Sequence, residues 1–118
     1  MMIIPGQHVK ILVATKPVDF RKGHDGLAAV VQNELGCDPH SGVIFVFRAK
    51  CADRIKILLW DGTGLVMAYK RLEDGKFLWP GVHDGVMRIS RAQFEALFEG
   101  LDWRRVYGRR LSRPAAAE

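Results

Sequence analysis

Four short apolar runs in the middle of the chain constrain its fold more than any other feature. They are rich in β-branched and aromatic residues and are separated by short turns: VIFVFR (43–48), RIKILLWD (54–61), LVMAYKRL (65–72) and KFLW (76–79). Runs of this length and composition are typical of strands, and Glu73-Asp74-Gly75 is a strong hairpin signal. Because strands joined by such short turns pair in antiparallel fashion, the sequence predicts an antiparallel β-meander of four strands.

Further strands and two helices are expected from the two ends of the chain. The additional strands are HVKILVAT (8–15) and VMRI (86–89). Apolar residues at three- and four-residue steps predict a first helix that begins with Asp19 as its N-cap and ends at Gly36. A second helix is expected to begin at Ser90, where Gln93 completes a capping box.

These elements predict one α+β domain, an antiparallel β-meander with two helices packed on one face. The 118 residues, 48% of them hydrophobic and 26% charged, suit a single globular domain, which we expect over residues 1–111. Residues 112–118 have nothing to pack and are expected to form a disordered tail. Since the runs at 43–48 and 54–61 are apolar on both sides, a homodimer is a hypothesis for covering the other face.

Composition and cysteine usage indicate a cytoplasmic protein. No apolar run approaches the roughly 20 residues that span a bilayer. The N-terminal MMIIPGQHVK lacks the basic leader and cleavage site of a signal peptide. Cys37 and Cys51 make no zinc spacing, and in a reducing compartment we expect free thiols rather than a disulfide.

The net charge of +5 is concentrated near the C-terminus, which suggests an anionic partner such as nucleic acid. Residues 1–103 hold thirteen Lys/Arg against twelve Asp/Glu, whereas the last fifteen residues hold five arginines and one glutamate. The cations of the meander are candidates for a basic strip at one edge of the sheet. For the sheet alone, a solvated face balanced by nearby carboxylates is the favoured interpretation. The candidate nucleic-acid-binding residues outside the first helix are Arg48, Lys50, Arg54, Lys56, Lys70, Arg71, Arg104, Arg105, Arg109 and Arg110.

The stretch VDFRKGHDGL (18–27) collects two carboxylates, a histidine and two cations. If the helix begins at Asp19, His24 lies on the buried apolar stripe, away from the carboxylates. Arg21 and Lys22 fall in the first turn, where an anion is stabilised by both the cations and the free amides. A nucleic-acid phosphate and an internal carboxylate are equally good candidates for that anion.

The aromatic residues divide into expected core and expected anchors. Most are expected in the core, as such rings usually are: Phe45, Phe47, Trp60, Tyr69 and Phe77. Trp79 and Trp103 lie at element ends, so we expect them to be partly exposed and to bind a protein partner. The chain shows no nucleophile–base pair, phosphate-binding loop or acidic cluster. We therefore expect no enzyme activity, no cofactor and no metal site.

Several of these motifs, in this order, resemble a known family. VDFRKGHDGL, DPHSGVIFVFRAK, DRIKILLWDGTGLVMAYKRLEDGKFLWP and FEALFEGLDWRR are similar to the TnpB-type (second open-reading-frame) accessory proteins of the insertion sequence 66 family of bacterial transposable elements. The resemblance runs from about Val9 to Arg105. Family members most often carry an aromatic residue at the position of His24, and this departure from the family pattern argues against a catalytic role for the histidine.

The resemblance implies an accessory protein of transposition, encoded beside a separate DDE-type transposase and without enzyme activity. It further suggests contact with DNA, with the transposase, or with both. A pure protein-interaction adaptor that never touches DNA is the alternative. A metal-dependent nuclease, the third class, would require carboxylates that cluster in a cleft.

Overall fold

The computed structural model describes residues 9–81 and 85–106. These residues form five strands: β1 (Ile11–Ala14), β2 (Ile44–Arg48), β3 (Arg54–Trp60), β4 (Leu65–Arg71) and β5 (Val86–Ile89). The helices are α1 (His24–Asn33), α2 (Arg91–Phe98) and a short 3-10 helix, Trp103–Arg105. No helix in this part of the chain is long and apolar enough to cross a membrane.

The strands form one open, mixed sheet in the order β4-β3-β2-β1-β5. β2, β3 and β4 make the predicted antiparallel meander, and β5 pairs antiparallel with β1. β1 and β2 are parallel, which requires a long crossover, and α1 lies within that crossover. The prediction of an α+β fold with a mainly antiparallel sheet is thus confirmed.

The two helices lie on opposite faces of the sheet, which corrects the expectation of both on one face. Strand residues alternate in direction, and here both directions are apolar. One core joins α1, through Leu27, Val30 and Val31, to Phe45 and its neighbours on that face. The other core joins α2 to the opposite face; its members include Ile11, Ile44, Ile57, Phe94 and Leu97. Covering both faces within one chain explains the two-sided apolar strands without a second copy.

KFLW (76–79) is not a strand, contrary to the prediction. The polar groups of this segment bond to other parts of the chain: Phe77 N donates to Ala52 O at 2.7 Å, and Leu78 O accepts from Trp103 Nε1 at 2.7 Å. Trp79 Nε1 donates to Ala14 O at 2.8 Å. The segment therefore packs with the α2 core, and β4 remains an edge strand.

The first helix begins at His24 with Gly23 as its N-cap, four residues later than the predicted N-cap Asp19. Asp19 instead stabilises a turn, because its Oδ1 accepts from Arg21 N at 2.9 Å. The carbonyls of Phe20 and Lys22, which a helix from Asp19 would use internally, accept hydrogen bonds from the Lys56 ammonium. That long-range contact outweighs the local helical pattern.

The second helix agrees with its prediction. Ser90 Oγ accepts from Gln93 N at 3.0 Å, and Gln93 Oε1 accepts from Ser90 N at 2.8 Å, completing the capping box. At the end of the first helix Gly36 adopts a left-handed φ of 65°, as expected for a glycine after a helix.

Candidate nucleic-acid interface

A buried lysine ties the segment before α1 to the sheet. The ammonium of Lys56, on β3, donates to Phe20 O at 2.7 Å and to Lys22 O at 2.8 Å. It also lies 4.9 Å from the ring centre of Phe20 and 5.3 Å from that of Tyr69. Because Lys56 is only 5% exposed, it positions residues 20–22 and does not present a charge to a ligand. The predicted contact of Lys56 with DNA stays a prediction, and it has little exposed surface to support it.

Next to this lysine, two arginines face each other on neighbouring strands. Arg54 on β3 is directly opposite Arg71 on β4. Leu72 N donates to Asp53 O at 2.9 Å, so the adjacent Arg54/Arg71 pair is of the non-hydrogen-bonded type, in which side chains approach most closely. Like charges directly opposite are unfavourable in a sheet. The pair therefore concentrates positive charge at this edge of the sheet, where a bound anion would be stabilised.

Carboxylates balance these arginines only loosely. Arg54 Nε lies 3.5 Å from Asp53 Oδ1, and Arg71 Nη2 lies 3.6 Å from Glu73 Oε2. Both distances exceed those of charge-assisted hydrogen bonds, and exposed ion pairs of this kind contribute little. The carboxylates expected for a solvated face are therefore present, but they are held at long distances from both guanidinium groups.

Tyr69 lies on the same face as these arginines and is 51% exposed, which corrects its assignment to the core. Its ring packs edge-on against Phe20, with ring centres 5.6 Å apart and an interplanar angle of 76°. A hydrogen bond with Tyr69 raises the pKa of Arg54 above its ordinary value. The alternation of β4 would have revealed this face, because Tyr69 and Arg71 are two residues apart.

The segment before α1 contributes a further free cation. Arg21 is committed to Asp19 through contacts of 2.7 and 3.1 Å, and this hydrogen bonding holds the pKa of Asp19 well below its usual range. Lys22 has no ion pair among the described residues. A Cβ on Gly26 would lie 2.9 Å from Lys22 Cβ, so this glycine lets the lysine lie close against α1.

We call the surface formed by Phe20, Lys22, Arg54, Tyr69 and Arg71 the basic platform. It lies on the α1 side of the sheet, at the edge formed by β4. Three of its members are cations and two are aromatic. Its cations come from two regions that the sequence analysis identified separately: Lys22 from the segment before α1, and Arg54 and Arg71 from the meander.

The remaining cations of the predicted basic strip lie elsewhere. Lys70 is on the opposite face, where its ammonium donates to Phe98 O at 2.7 Å and caps the end of α2. Arg48 shares that face and lies 6.0 Å from the Trp79 ring centre. Lys50 is exposed in the loop after β2. Since neighbouring strand residues point to opposite faces, no single strip forms.

The arginines near the C-terminus divide at the limit of the described residues. Arg104 bonds to Asp102 at 3.1 and 3.2 Å, and Arg105 lies 3.7 Å from the same carboxylate. The Arg104 side chain lowers the pKa of Asp102. Arg109 and Arg110 lie outside the described residues, so their predicted contact with DNA stays a prediction.

The two tryptophans expected as exposed anchors are instead bonded within the fold. Trp103 is 4% exposed, which contradicts the expectation of partial exposure. Its indole N–H donates a hydrogen bond to Leu78 O. Trp79 is half-buried and holds Ala14 O. A role in partner binding stays a prediction for both; Trp79 has the partial exposure that was expected, whereas Trp103 does not.

His24 is exposed as the first residue of α1, not buried as predicted, because the buried stripe begins only at Leu27. Cys37 and Cys51 are free thiols. Over residues 9–81 and 85–106, no three His, Cys, Asp or Glu side chains gather as a metal site.

Comparison with known proteins shows relatives along nearly the whole chain. The family model described as "IS66 Orf2 like protein" matches residues 9–108. "Uncharacterized protein y4jC" of Sinorhizobium fredii (strain NBRC 101917 / NGR234) is 49% identical over 113 residues, covering 96% of this chain and 97% of the relative. "Uncharacterized protein y4hO" of the same strain is 40% identical over 103 residues, covering 87% and 90%. No solved structure matches the chain.

Proposed function

Because the chain belongs to the IS66 Orf2-like family, which supports an accessory role in insertion-sequence transposition, we propose that it binds the DNA backbone through the basic platform. In this role the protein is not an enzyme. It acts beside the transposase of the element, which carries out the strand chemistry.

The Arg54/Arg71 pair is the observation that carries this proposal. Arg54 and Arg71 are cross-strand partners, and like charges at such positions are unfavourable, so an anion bound beside them would relieve this repulsion. Guanidinium groups bind phosphate oxygens with paired hydrogen bonds, which makes arginine well suited to this position. Lys22 extends the positive surface on the side of α1.

Such contacts go to phosphates and carry no sequence information. The affinity is therefore expected to fall log-linearly with salt, with a slope that reports the number of phosphates contacted. Each lost phosphate contact lowers that slope by about 0.9 on duplex DNA.

The test is binding of the full chain to a fluorescent duplex that carries the terminal repeats of the element, beside a scrambled duplex, across a salt series. The Arg54→Gln/Arg71→Gln double variant should bind more weakly, with a slope lower by about 1–2. Arg88→Gln is the matched control, because Arg88 is exposed on β5 at the other edge of the sheet. Equal slopes for the double variant and this control would reject the platform.

Arg109 and Arg110 require a separate variant, since the predicted basic tail is an alternative source of the same salt dependence. An Arg109→Gln/Arg110→Gln variant in the full chain measures the contribution of the tail. If this variant alone removes the binding, the DNA contact lies in the tail and not in the platform.

A transposase-binding adaptor is the second candidate, favoured by the open edge of β4. The register pairs Val66, Ala68 and Lys70 with β3, so the backbone groups of the alternate residues point away from the sheet. Such an edge accepts an added strand from a partner. Binding of the transposase with no DNA binding at low salt would support this candidate over the first.

A further inference from the structure

We propose that the basic platform binds an unpaired strand, with one base stacked on Tyr69. This inference rests on the proposed function and goes beyond it by naming the state of the DNA. A phosphate contact alone does not distinguish paired from unpaired strands, whereas an aromatic ring does, because base faces are accessible only outside the duplex stack.

The ring of Tyr69 is exposed but held in place. Phe20 packs against it at 5.6 Å, and the ammonium of Lys56 lies 5.3 Å from its centre. With these two contacts in place, Tyr69 is still 51% exposed, so a large part of the side chain remains accessible to a ligand. A ring fixed before binding loses little side-chain entropy when a base stacks on it.

Cations flank this ring on its own face. Arg71 follows two residues later on β4, about 7 Å along the strand. Arg54 is the cross-strand partner of Arg71, and its guanidinium lies 5.4 Å from the centre of the Phe20 ring that packs against Tyr69. An aromatic ring with adjacent guanidinium groups is the combination that single-strand-binding surfaces use, the ring for a base and the cations for its phosphates.

Few large apolar side chains are exposed, so the exposure of Tyr69 is informative. The large ones among the described residues are Val66, Tyr69 and Leu101. Leu101 is 58% exposed, yet it follows α2 on the opposite side of the sheet and has no aromatic face. It therefore provides a matched control for removal of an exposed apolar side chain.

The test compares a fluorescent thymidine oligonucleotide of about 16 nucleotides, long enough for one small binding surface, with the same sequence as a duplex. For the full chain, Tyr69→Ala should weaken single-strand binding about 5- to 150-fold, the range for loss of one stacked base. Duplex binding should change less than about twofold, since phosphate contacts dominate there. Tyr69→Phe keeps the ring and should bind like the parent, as should Leu101→Ala.

Tyr69→Leu distinguishes stacking from a disturbed fold. Leucine keeps an apolar contact with Phe20 but has no π face, so it should lose the same single-strand affinity while its circular dichroism remains unchanged. In addition, 2-aminopurine placed in the oligonucleotide should be quenched by the parent and less by Tyr69→Leu.

The outcomes separate this inference from the proposed function. Duplex binding with no effect of Tyr69→Ala or Tyr69→Leu on the single strand would overturn the stacking site and leave the phosphate contact standing. Equal losses on both forms of DNA would also overturn it. Failure to bind either form at low salt would remove both proposals.

Discussion

Replacing Lys56 by methionine tests the contact on which the platform depends. Methionine has a similar length and fills the same space, but it removes two hydrogen bonds, of 2.7 and 2.8 Å, to the carbonyls of Phe20 and Lys22. Hydrogen bonds to a charged group contribute about 1.5–3 kcal/mol each. Burying the ammonium costs several kcal/mol, which offsets part of this gain. We therefore expect Lys56→Met to lower the free energy of unfolding by about 2 kcal/mol.

Two other lysines calibrate this value. Lys70→Met removes a single similar bond, to Phe98 O at 2.7 Å, so about half the effect is expected. Lys76 is exposed, and Lys76→Met should stay within about 0.5 kcal/mol of the parent. Urea unfolding followed by tryptophan fluorescence and circular dichroism gives all three values.

The same samples report on the segment itself. With the ammonium gone, Phe20 should leave the Tyr69 ring, and the ring-current shifts of Tyr69 should diminish in NMR spectra. A Lys56→Met variant as stable as Lys76→Met, with unchanged Tyr69 shifts, would refute the idea that Lys56 holds residues 20–22 in place.

Three other predictions concern Trp103, Gly26 and Asp19, whose contacts in the structure could not be read from the sequence. Trp103→Ala should cost about 3–5 kcal/mol in urea unfolding, as for a buried tryptophan, and a cost under about 1 kcal/mol would mean the ring is exposed. Gly26→Ala should not raise the free energy of unfolding by the roughly 1 kcal/mol that helix propensity predicts, because the new Cβ would lie 2.9 Å from Lys22 Cβ. A full gain in stability, measured by thermal unfolding, would contradict that contact. The pKa of Asp19 is lower in the folded state than in the unfolded chain. Its ionised carboxylate therefore stabilises the fold above about pH 4, and this stabilisation is lost as the pH falls through the folded pKa. In an NMR titration its carboxyl should remain ionised below its ordinary pKa, and Arg21→Ala should restore ordinary titration.

Local pattern was enough to predict most of the secondary structure. The meander strands at 43–48, 54–61 and 65–72 and the Ser90 capping box depend on neighbours in sequence, and each is found close to its predicted bounds. The alternation of β3 likewise placed Arg54 and Lys56 on one face and the isoleucines on the other.

The displaced start of the first helix and the missing strand at 76–79 have one physical origin, contacts between residues far apart in sequence. Asp19 carries a good N-cap signal, but the helix begins later because Lys56 takes the carbonyls that it would need. The 76–79 segment has strand composition, but Ala14, Ala52 and Trp103 take its hydrogen bonds. No local propensity contains that information.

The candidate site was only partly predictable for the same reason. Arg54, Arg71 and Lys22 were identified by charge, whereas the difference between a buried lysine at 56 and a free one at 22 depends on tertiary contacts. Tyr69 was missed because an aromatic residue in a strand is usually buried. Its exposure follows from the position of β4 at the edge of the sheet.

The separation of the platform in sequence determines when it forms during synthesis. The hydrogen bonds of Lys56 join residues 36 and 34 positions apart, and the remaining cations and the tyrosine lie on β3 and β4. A nascent chain that has emerged only as far as β2 carries Lys22 on an unanchored segment. The entropy cost of closing these long loops is incurred before the stabilising contacts can form, so the surface forms late in folding. A chain terminated after β2 would keep Phe20 and Lys22 but would lack Arg54, Tyr69 and Arg71, so the platform could not form.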